Sequence, residues 1–549
     1  MDIVFKGGDI MDLNNSFYDI IKASSLAHPH YNAILYDNKF ITYQELINYI
    51  DQFALFFHHQ GIKSGDIVTI ILPNIPQAIY AFYALNKLGA ICHEVHPKTS
   101  ATKLAAYLDK TNSSYVLTLN IFNKQYLDVI TKRKIKMITF NPFSKSKLLK
   151  HLFCEVISNH KKVIKYKKSQ KQKVITPYHF DAKQTSVLLN SGGTSGNDKI
   201  IELSTYAINS LASNGTEILG MTEGNGVFML AVLPMFHGFG LCMGIHSPLM
   251  YGACVSLMMK FHSEDTIKLI KEHHLTIMIG VPALYKALLR NPHFYIPELE
   301  NITTAYVGGD FVASSLVDEF NQTMKKYNSK ARLYEGYGLT ETVTVCTVNT
   351  DQFNRPRSVG RAVRNTSIRI VDPLTHQFLS PNEDGEIVVS GDTLMNGYYQ
   401  NKELTDNTFF IDNDGVKWVL TKDFGHLDSD GYLYFKQRLK RVIKVSGVIV
   451  CPSEIENAIN KIPYVYESFA TSITHEARDN MVILFVVKDK YKPLEEKQLN
   501  KLINETIEQE ISVYAKPYQI IYMDSFPKTE IGKIDSKKIE NMYLNKGDN

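Results

Sequence analysis

The stretch LLNSGGTSGNDKI, Leu188–Ile200, carries an apolar strand-like run into glycines and hydroxyls, and a lysine closes it. Such a composition suits an anion. Glycines let backbone N–H groups approach phosphate oxygens, Thr194 and Ser195 add donors, and Lys199 adds positive charge. Taken alone, a Gly/Ser cluster is more often a plain surface loop. Its surroundings have to decide between the two.

On both sides of the loop, short apolar runs alternate with helical segments. DIVTIILP (Asp66–Pro73) leads into PQAIYAFYALNKLGA (Pro76–Ala90), and AICHEV precedes TKLAAYLDK. Later GVFMLAVLP, ACVSLMM, TIMIGV and TTAYVGG are each separated by a helix-length stretch. Strands alternating with helices predict βαβ units and mostly parallel sheets. After Arg355 the texture changes to closely spaced strands with turns, SIRIVDP, GEIVVSG, GVKWVL and DSDGYLYF, which predict a small β-barrel-like part. Beyond Arg438 a last unit of about 110 residues mixes helices (CPSEIENAINKI, PLEEKQLNKLINETIEQEI) with a strand (MVILFVV). The expected fold is α/β. It has a large N-terminal body over 1–437 and a small α+β C-terminal domain over 441–549.

A chain of 549 residues exceeds what one core holds. Its 44% hydrophobic and 21% charged residues are those of a globular protein. The first residues, MDIVFKGGDI, lack a signal-peptide pattern, and no apolar run approaches the ~20 residues of a spanning helix. The six cysteines form no CxxC pair, so neither a zinc site nor a disulfide framework is indicated, and a cytoplasmic location is expected. The net charge of +4 conceals ten lysines against one acid, Glu155, over 145–173. That stretch reads first as a solvated linker and second as a patch for weak peripheral membrane contact. No nucleic-acid-binding motif accompanies it.

Five further stretches carry polar groups of interest. LPMFHGFGL (Leu233–Leu241) contains His237, and YEGYGLTET (Tyr334–Thr342) contains Tyr337, Gly338, Thr340 and Glu341. LTKDFGHLDSDGYLYF contains Asp423, QRLKRVIKVSG contains Arg438, Lys440 and Lys444, and FPKTEIGKID contains Lys533. Each has a plain structural explanation by itself: a satisfied buried histidine, a helix-starting carboxylate, a solvated turn lysine. Their order and separations over residues 185–535 do not.

In that order they resemble the adenylate-forming superfamily of acyl-CoA synthetases, carrier-protein adenylation domains and firefly luciferase, over nearly the whole chain. SGGTSGNDK is similar to that family's phosphate loop. It is not a Walker loop, because Asn197 and Asp198 separate Gly196 from Lys199 and Ile200 follows. The resemblance implies that Ser191, Gly192, Gly193, Thr194, Ser195, Gly196 and Lys199 hold the β- and γ-phosphates of ATP. It places Thr340 on the α-phosphate and Mg²⁺ on Glu341, a hard oxygen ligand suited to that ion. Tyr337 and Gly338 face adenine, with Gly308, Gly309 and Asp310 on its other side. Asp423 and Arg438 take the ribose, and Lys533 bridges the carboxylate and the α-phosphate. His237 is the remaining candidate catalytic group. The resemblance also implies a hinge at 438–440 that makes the small domain mobile and turns Lys444 to the adenylate in a second step with CoA.

Three departures stand out. Lys422 replaces the glycine usual before the ribose aspartate, Ile449 stands where relatives carry Gln or Asn, and Asp310 stands where they carry Ala or Met. Relatives that activate amino acids carry aspartate after the phenylalanine, where this chain has His237 after Phe236. An ammonium would be desolvated there without a partner, so an uncharged acyl group is expected. Gly238, Phe239, Gly240, Leu241, Cys242 and Met243 read equally as a wall for an alkyl chain or as core. The leading expectation is an AMP-forming acyl-CoA synthetase for a medium- or long-chain fatty acid, using ATP, Mg²⁺ and CoA. The alternatives are an acyl- or aryl-acid AMP ligase that loads an acyl carrier protein, and a non-catalytic adenylate-binding scaffold.

Overall fold

The computed structural model describes residues 12–133, 135–141, 163–166, 180–191, 199–220, 226–310, 312–441, 443–445, 448–475, 479–528 and 534–544. Of the site residues named above, Gly192–Gly196 and Lys533 lie outside this set, and nothing is described of the Lys440, Lys444 or Ile449 side chains.

Two large mixed sheets form the body. One has eight strands, in the order Gly397–Tyr398, Lys199–Ser204, Thr185–Ser191, Ile91–Glu94, Ile67–Ile71, Tyr115–Leu119, Lys136–Phe140 and Val163–Lys165. The other has nine: Arg361–Ala362, Val345–Val348, Leu333–Gly338, Thr304–Val307, Ile277–Gly280, Phe228–Ala231, Cys254–Leu257, Asn32–Tyr36 and Lys39–Thr42. Pairing within each sheet's centre is parallel, as the alternating pattern predicts; antiparallel strands sit at both ends of the nine-stranded sheet and at one end of the eight-stranded one. One continuous core joins Ile70, Val187 and Leu189 of the first sheet to Met229, Val255 and Ile279 of the second. Helix Pro76–Lys87 runs through it. Proline starts the helix at a position whose N–H would be unpaired anyway, and Ala78–Asn86 are all buried. A helix apolar on every face belongs between layers.

The C-terminal region forms a separate small domain. Strands Val465–His475, Asp479–Lys488 and Gln519–Met523 make one sheet, against which helices Pro452–Ile459 and Glu496–Glu510 bury Ile455, Ile459, Leu499 and Ile503. No helix among the described residues is long and apolar enough to cross a membrane.

Two expectations change. The strands after Arg355 do not close into a barrel. They form an open five-stranded sheet in which Thr366–Val371 is an edge, and Lys417–Leu427 shares its second edge between Phe409–Ile411 and Leu433–Arg438. The lysine-rich stretch 145–173 lies outside the described residues except for 163–166. There Val163–Lys165 pairs parallel with Lys136–Phe140, and the Tyr166 ring lies 4.3 Å from that of Phe53. Those residues form a strand at the end of the sheet, and the rest of the stretch read as a linker lies outside the described residues.

Candidate functional site

Ser191 and Lys199 are register partners in an antiparallel pair, so the glycine-rich loop joins two neighbouring strands. A Walker loop instead leads from a strand into a helix. Asn190, just before the loop, donates from Nδ2 to the Glu94 carbonyl at 3.2 Å and lies 3.2 Å from His93 Nε2. Burial pushes His93 down to about 4, so its imidazole stays neutral and can accept. The loop's first strand is thereby tied to its neighbour.

Two further candidate groups follow the carboxyl ends of parallel strands, where open α/β sheets bind ligands. Gly308, Gly309 and Asp310 follow Thr304–Val307, with Asp310 exposed. Thr340 and Glu341 form a single 3₁₀ turn after Leu333–Gly338. Val343 then adopts φ 65° and ψ −63°, a strained γ-turn for a β-branched residue, and the Thr344 N–H donates to the Thr342 carbonyl at 2.8 Å. Two glycines hold that turn. A Cβ on Gly238 would overlap the Val343 carbonyl, and one on Gly338 would overlap that of Thr344. The close approach brings His237 and its loop against the Thr340–Glu341 turn.

Asp423 and Tyr337 meet directly. The Tyr337 hydroxyl donates to Asp423 Oδ2 at 2.8 Å, and the Tyr337 ring stacks on Phe435 with centroids 5.6 Å apart. Burial first, and then the Asp423 charge, hold the phenol far above its ordinary range, so it remains a donor. Asp423 is 5% exposed, and its Oδ1 lies 3.5 Å from Nε of the exposed Arg438, its register partner on the next strand. A bulge aims this carboxylate. Register against Gly385–Gly391 shifts between Val388 and Glu386, and Glu386 Oε1 accepts from the Lys422 N–H at 2.8 Å.

Lys422 adopts φ 60°, which gives the usual glycine a reason: only glycine takes this left-handed conformation without penalty. Its side chain is exposed, as the sequence suggests, but the backbone is strained. The penalty is about 1–2 kcal/mol, partly offset by the greater freedom of glycine in the unfolded chain. Lys422→Gly is therefore expected to raise stability by about 0.5–1 kcal/mol in chemical denaturation and to leave ATP affinity unchanged. A loss of stability would contradict the strain.

Sequence reading missed Tyr398. Its hydroxyl donates to Glu341 Oε1 at 2.7 Å, and Lys199 Nζ lies 4.8 Å from its ring centroid. The signal in NGYYQN is a tyrosine pair with no spacing rule attached. Phe435, under Tyr337, was equally silent. The stretch read as either wall or core divides: Leu241, Cys242 and Met243 are at most 1% exposed and join the main core, while His237 and Phe239 keep accessible surface.

A glycine-rich strand–loop–strand, a buried carboxylate beside a stacked tyrosine, and a metal-suited carboxylate on a clamped turn define a nucleotide-handling enzyme. The AMP-binding enzyme family matches residues 21–399, and the AMP-binding enzyme C-terminal domain matches 454–533. The chain belongs to the AMP-binding enzyme family. It is 26% identical to the long-chain-fatty-acid–CoA ligase of Bacillus subtilis (strain 168), covering 96% of this chain and 94% of that protein. It is likewise 26% identical to 4-coumarate–CoA ligase 2 of Nicotiana tabacum, covering 88% and 85%. Among solved structures, ATP-bound MatB from Rhodopseudomonas palustris superposes with a TM-score of 0.82 at 22% identity, over 97% of this chain and 99% of that one.

Proposed function

We propose that this AMP-forming acid–thiol ligase, whose cosubstrates are ATP, Mg²⁺ and CoA, activates a medium- or long-chain fatty acid. The observation that carries the acyl choice is the Phe236-His237 pair. No carboxylate stands there to meet a substrate ammonium, and the neighbouring accessible surface is that of Phe239. Similarity to the Bacillus fatty-acid ligase supports the same reading. Equal similarity to the Nicotiana coumarate ligase favours a second one, an aryl acid. A panel of saturated fatty acids and hydroxycinnamic acids, assayed for CoA-dependent AMP release, separates them. Preference for alkyl acids is expected, and preference for the aryl acids would overturn the choice. Replacing CoA by a pantetheinylated carrier protein in the same assay tests the other acceptor.

In this reading Ser191, the loop after it and Lys199 take the β- and γ-phosphates, and Thr340 takes the α-phosphate. Tyr337 and the Gly308–Asp310 turn take adenine, and Asp423 with Arg438 takes the ribose. Glu341 suits Mg²⁺, because one carboxylate with substrate phosphates and water is that ion's usual environment. The ion supplies charge neutralisation on the phosphates. The protein's own part is to bring two anions together. Lys199 and Lys533 are the groups that would offset this charge, which grows at the α-phosphorus as the new bond forms.

The small domain rotates between half-reactions in this proposal, about the 3₁₀ turn Leu439–Arg441. Two polar contacts among those that cross to it join side chains of the two parts. Arg290 Nη1 donates to the Tyr466 hydroxyl at 2.7 Å, and Lys436 Nζ lies 3.2 Å from Glu454 Oε1. The first of these is exposed, and the second joins a partly covered lysine that also pairs with Asp384 of the large body. Lys440→Pro fixes φ near −65° and removes an N–H. It is expected to spare acyl-AMP formation and suppress thioester formation, measured as separate half-reactions. Equal loss in both, or in neither, would refute a hinge there.

A further inference from the structure

We propose that Tyr398 is a positioning residue: it fixes the Glu341 carboxylate relative to the strand that carries Lys199, so that one side chain sets the spacing between the metal ligand and the phosphate-loop lysine. The proposal rests on the reading of Glu341 as the Mg²⁺ ligand.

The geometry begins with a two-residue strand. Gly397–Tyr398 runs antiparallel to Lys199–Ser204, with Gly397 opposite Glu202 and Tyr398 opposite Ile201. Backbone bonds flank the pairing: the Asn396 N–H donates to the Glu202 carbonyl at 2.9 Å, and the Tyr399 N–H donates to that of Ile200 at 2.8 Å. The Tyr398 N–H donates to Thr405 Oγ1 at 2.9 Å. The tyrosine backbone therefore belongs to the eight-stranded sheet. Its side chain leaves that sheet and reaches Glu341, which follows a strand of the nine-stranded one. The Met395 N–H also donates to the Glu341 carbonyl at 2.8 Å, so residues 395–398 hold Glu341 by its main chain and its side chain.

Tyr398 is 5% exposed, and its ring lies beneath the Lys199 ammonium at cation–π distance. A phenol is protonated at neutral pH and its hydroxyl is the donor of the pair, since an ionised carboxylate can only accept. That bond engages Oε1 and leaves Oε2 with no hydrogen-bond donor among the described residues. A metal-binding carboxylate is usually oriented by such a partner, and removing the partner typically weakens metal binding 10- to 100-fold. Nothing about ATP recognition itself requires the hydroxyl.

Tyr398→Phe keeps the ring over Lys199 and the strand pairing but removes the donor. The test measures Mn²⁺ binding by electron paramagnetic resonance, in the presence of a non-hydrolysable ATP analogue. It is run on the wild type, Tyr398→Phe, Glu341→Gln and the double variant. Binding of the analogue without metal checks that each protein is folded with an intact nucleotide site. Tyr398→Phe is expected to weaken Mn²⁺ roughly tenfold and leave metal-free analogue binding unchanged. Glu341→Gln is expected to weaken Mn²⁺ at least as much, and adding Tyr398→Phe to it should change nothing further, because the two residues act as one unit. Wild-type Mn²⁺ affinity in Tyr398→Phe, with loss in Glu341→Gln, would overturn the positioning role and leave the Mg²⁺ reading standing. Wild-type affinity in Glu341→Gln would overturn the Mg²⁺ reading and the proposal with it. Additive losses would also count against Tyr398, since it would then act on the metal by another route.

Discussion

Lys533→Ala is expected to slow acid-dependent exchange of pyrophosphate into ATP by roughly 10²–10³-fold, with ATP binding nearly unchanged. Lys533 lies outside the described residues, and the residues on either side of its segment are paired with each other. Lys528 and Ile534 pair across an antiparallel bridge, and the Asp535 N–H donates to the Pro527 carbonyl at 2.9 Å. The adenylation step makes a carboxylate attack an α-phosphate that is itself anionic. Repulsion between them is greatest as the new bond forms. A cation placed there stabilises the transition state more than either ground state, so its loss appears in rate rather than in binding. Exchange at the wild-type rate in Lys533→Ala would show that another group carries this charge.

Asp423→Ala is expected to raise the KM for ATP by roughly 10- to 150-fold, the equivalent of the 1.5–3 kcal/mol typical of a hydrogen bond to a charged group. The structure adds a second effect. Asp423 accepts from the partly buried Tyr337 hydroxyl, and truncation leaves that donor unsatisfied, at a cost of about 1–3 kcal/mol in stability. Asp423→Asn separates the two. Its amide oxygen can still accept from Tyr337, so stability should hold while the charge lost to the ribose still weakens ATP. Denaturation and steady-state kinetics on both variants check this. An unchanged KM for ATP in Asp423→Ala would mean that the ribose binds elsewhere.

Much of the fold is legible because parallel sheets leave local marks. Runs such as DIVTIILP and TIMIGV are apolar throughout, as strands covered on both faces must be, and helix-length intervals separate them. Sheet closure leaves no such mark. The strands after Arg355 look alike whether their sheet closes or stays open, and the outer side of Thr366–Val371 meets a short local return, with Val371 bridged to Phe378. Apolar stretches are ambiguous in the same way, since Leu241–Met243 could have lined a cavity and instead fill the core. At the candidate site, Asp423 and Tyr337 stand in motifs, and the structure brings them together. Tyr398 does not. Its place comes from the register of a two-residue strand against Ile201, far away in the chain, and from a hydroxyl that reaches a third segment. Lys422 lies between these cases: the sequence shows a missing glycine, and only the backbone shows the left-handed φ that made glycine usual.

One chain activates an acid as its adenylate and then passes the acyl group to a thiol. Both half-reactions can be followed on one preparation with a fatty acid: pyrophosphate exchange into ATP without CoA, then AMP release when CoA is added. Exchange is expected to require the acid but not the thiol, and AMP release, in step with acyl-CoA, to require both. Nucleotide binding with no acid-dependent exchange would contradict it and leave a scaffold that holds adenylate without using it.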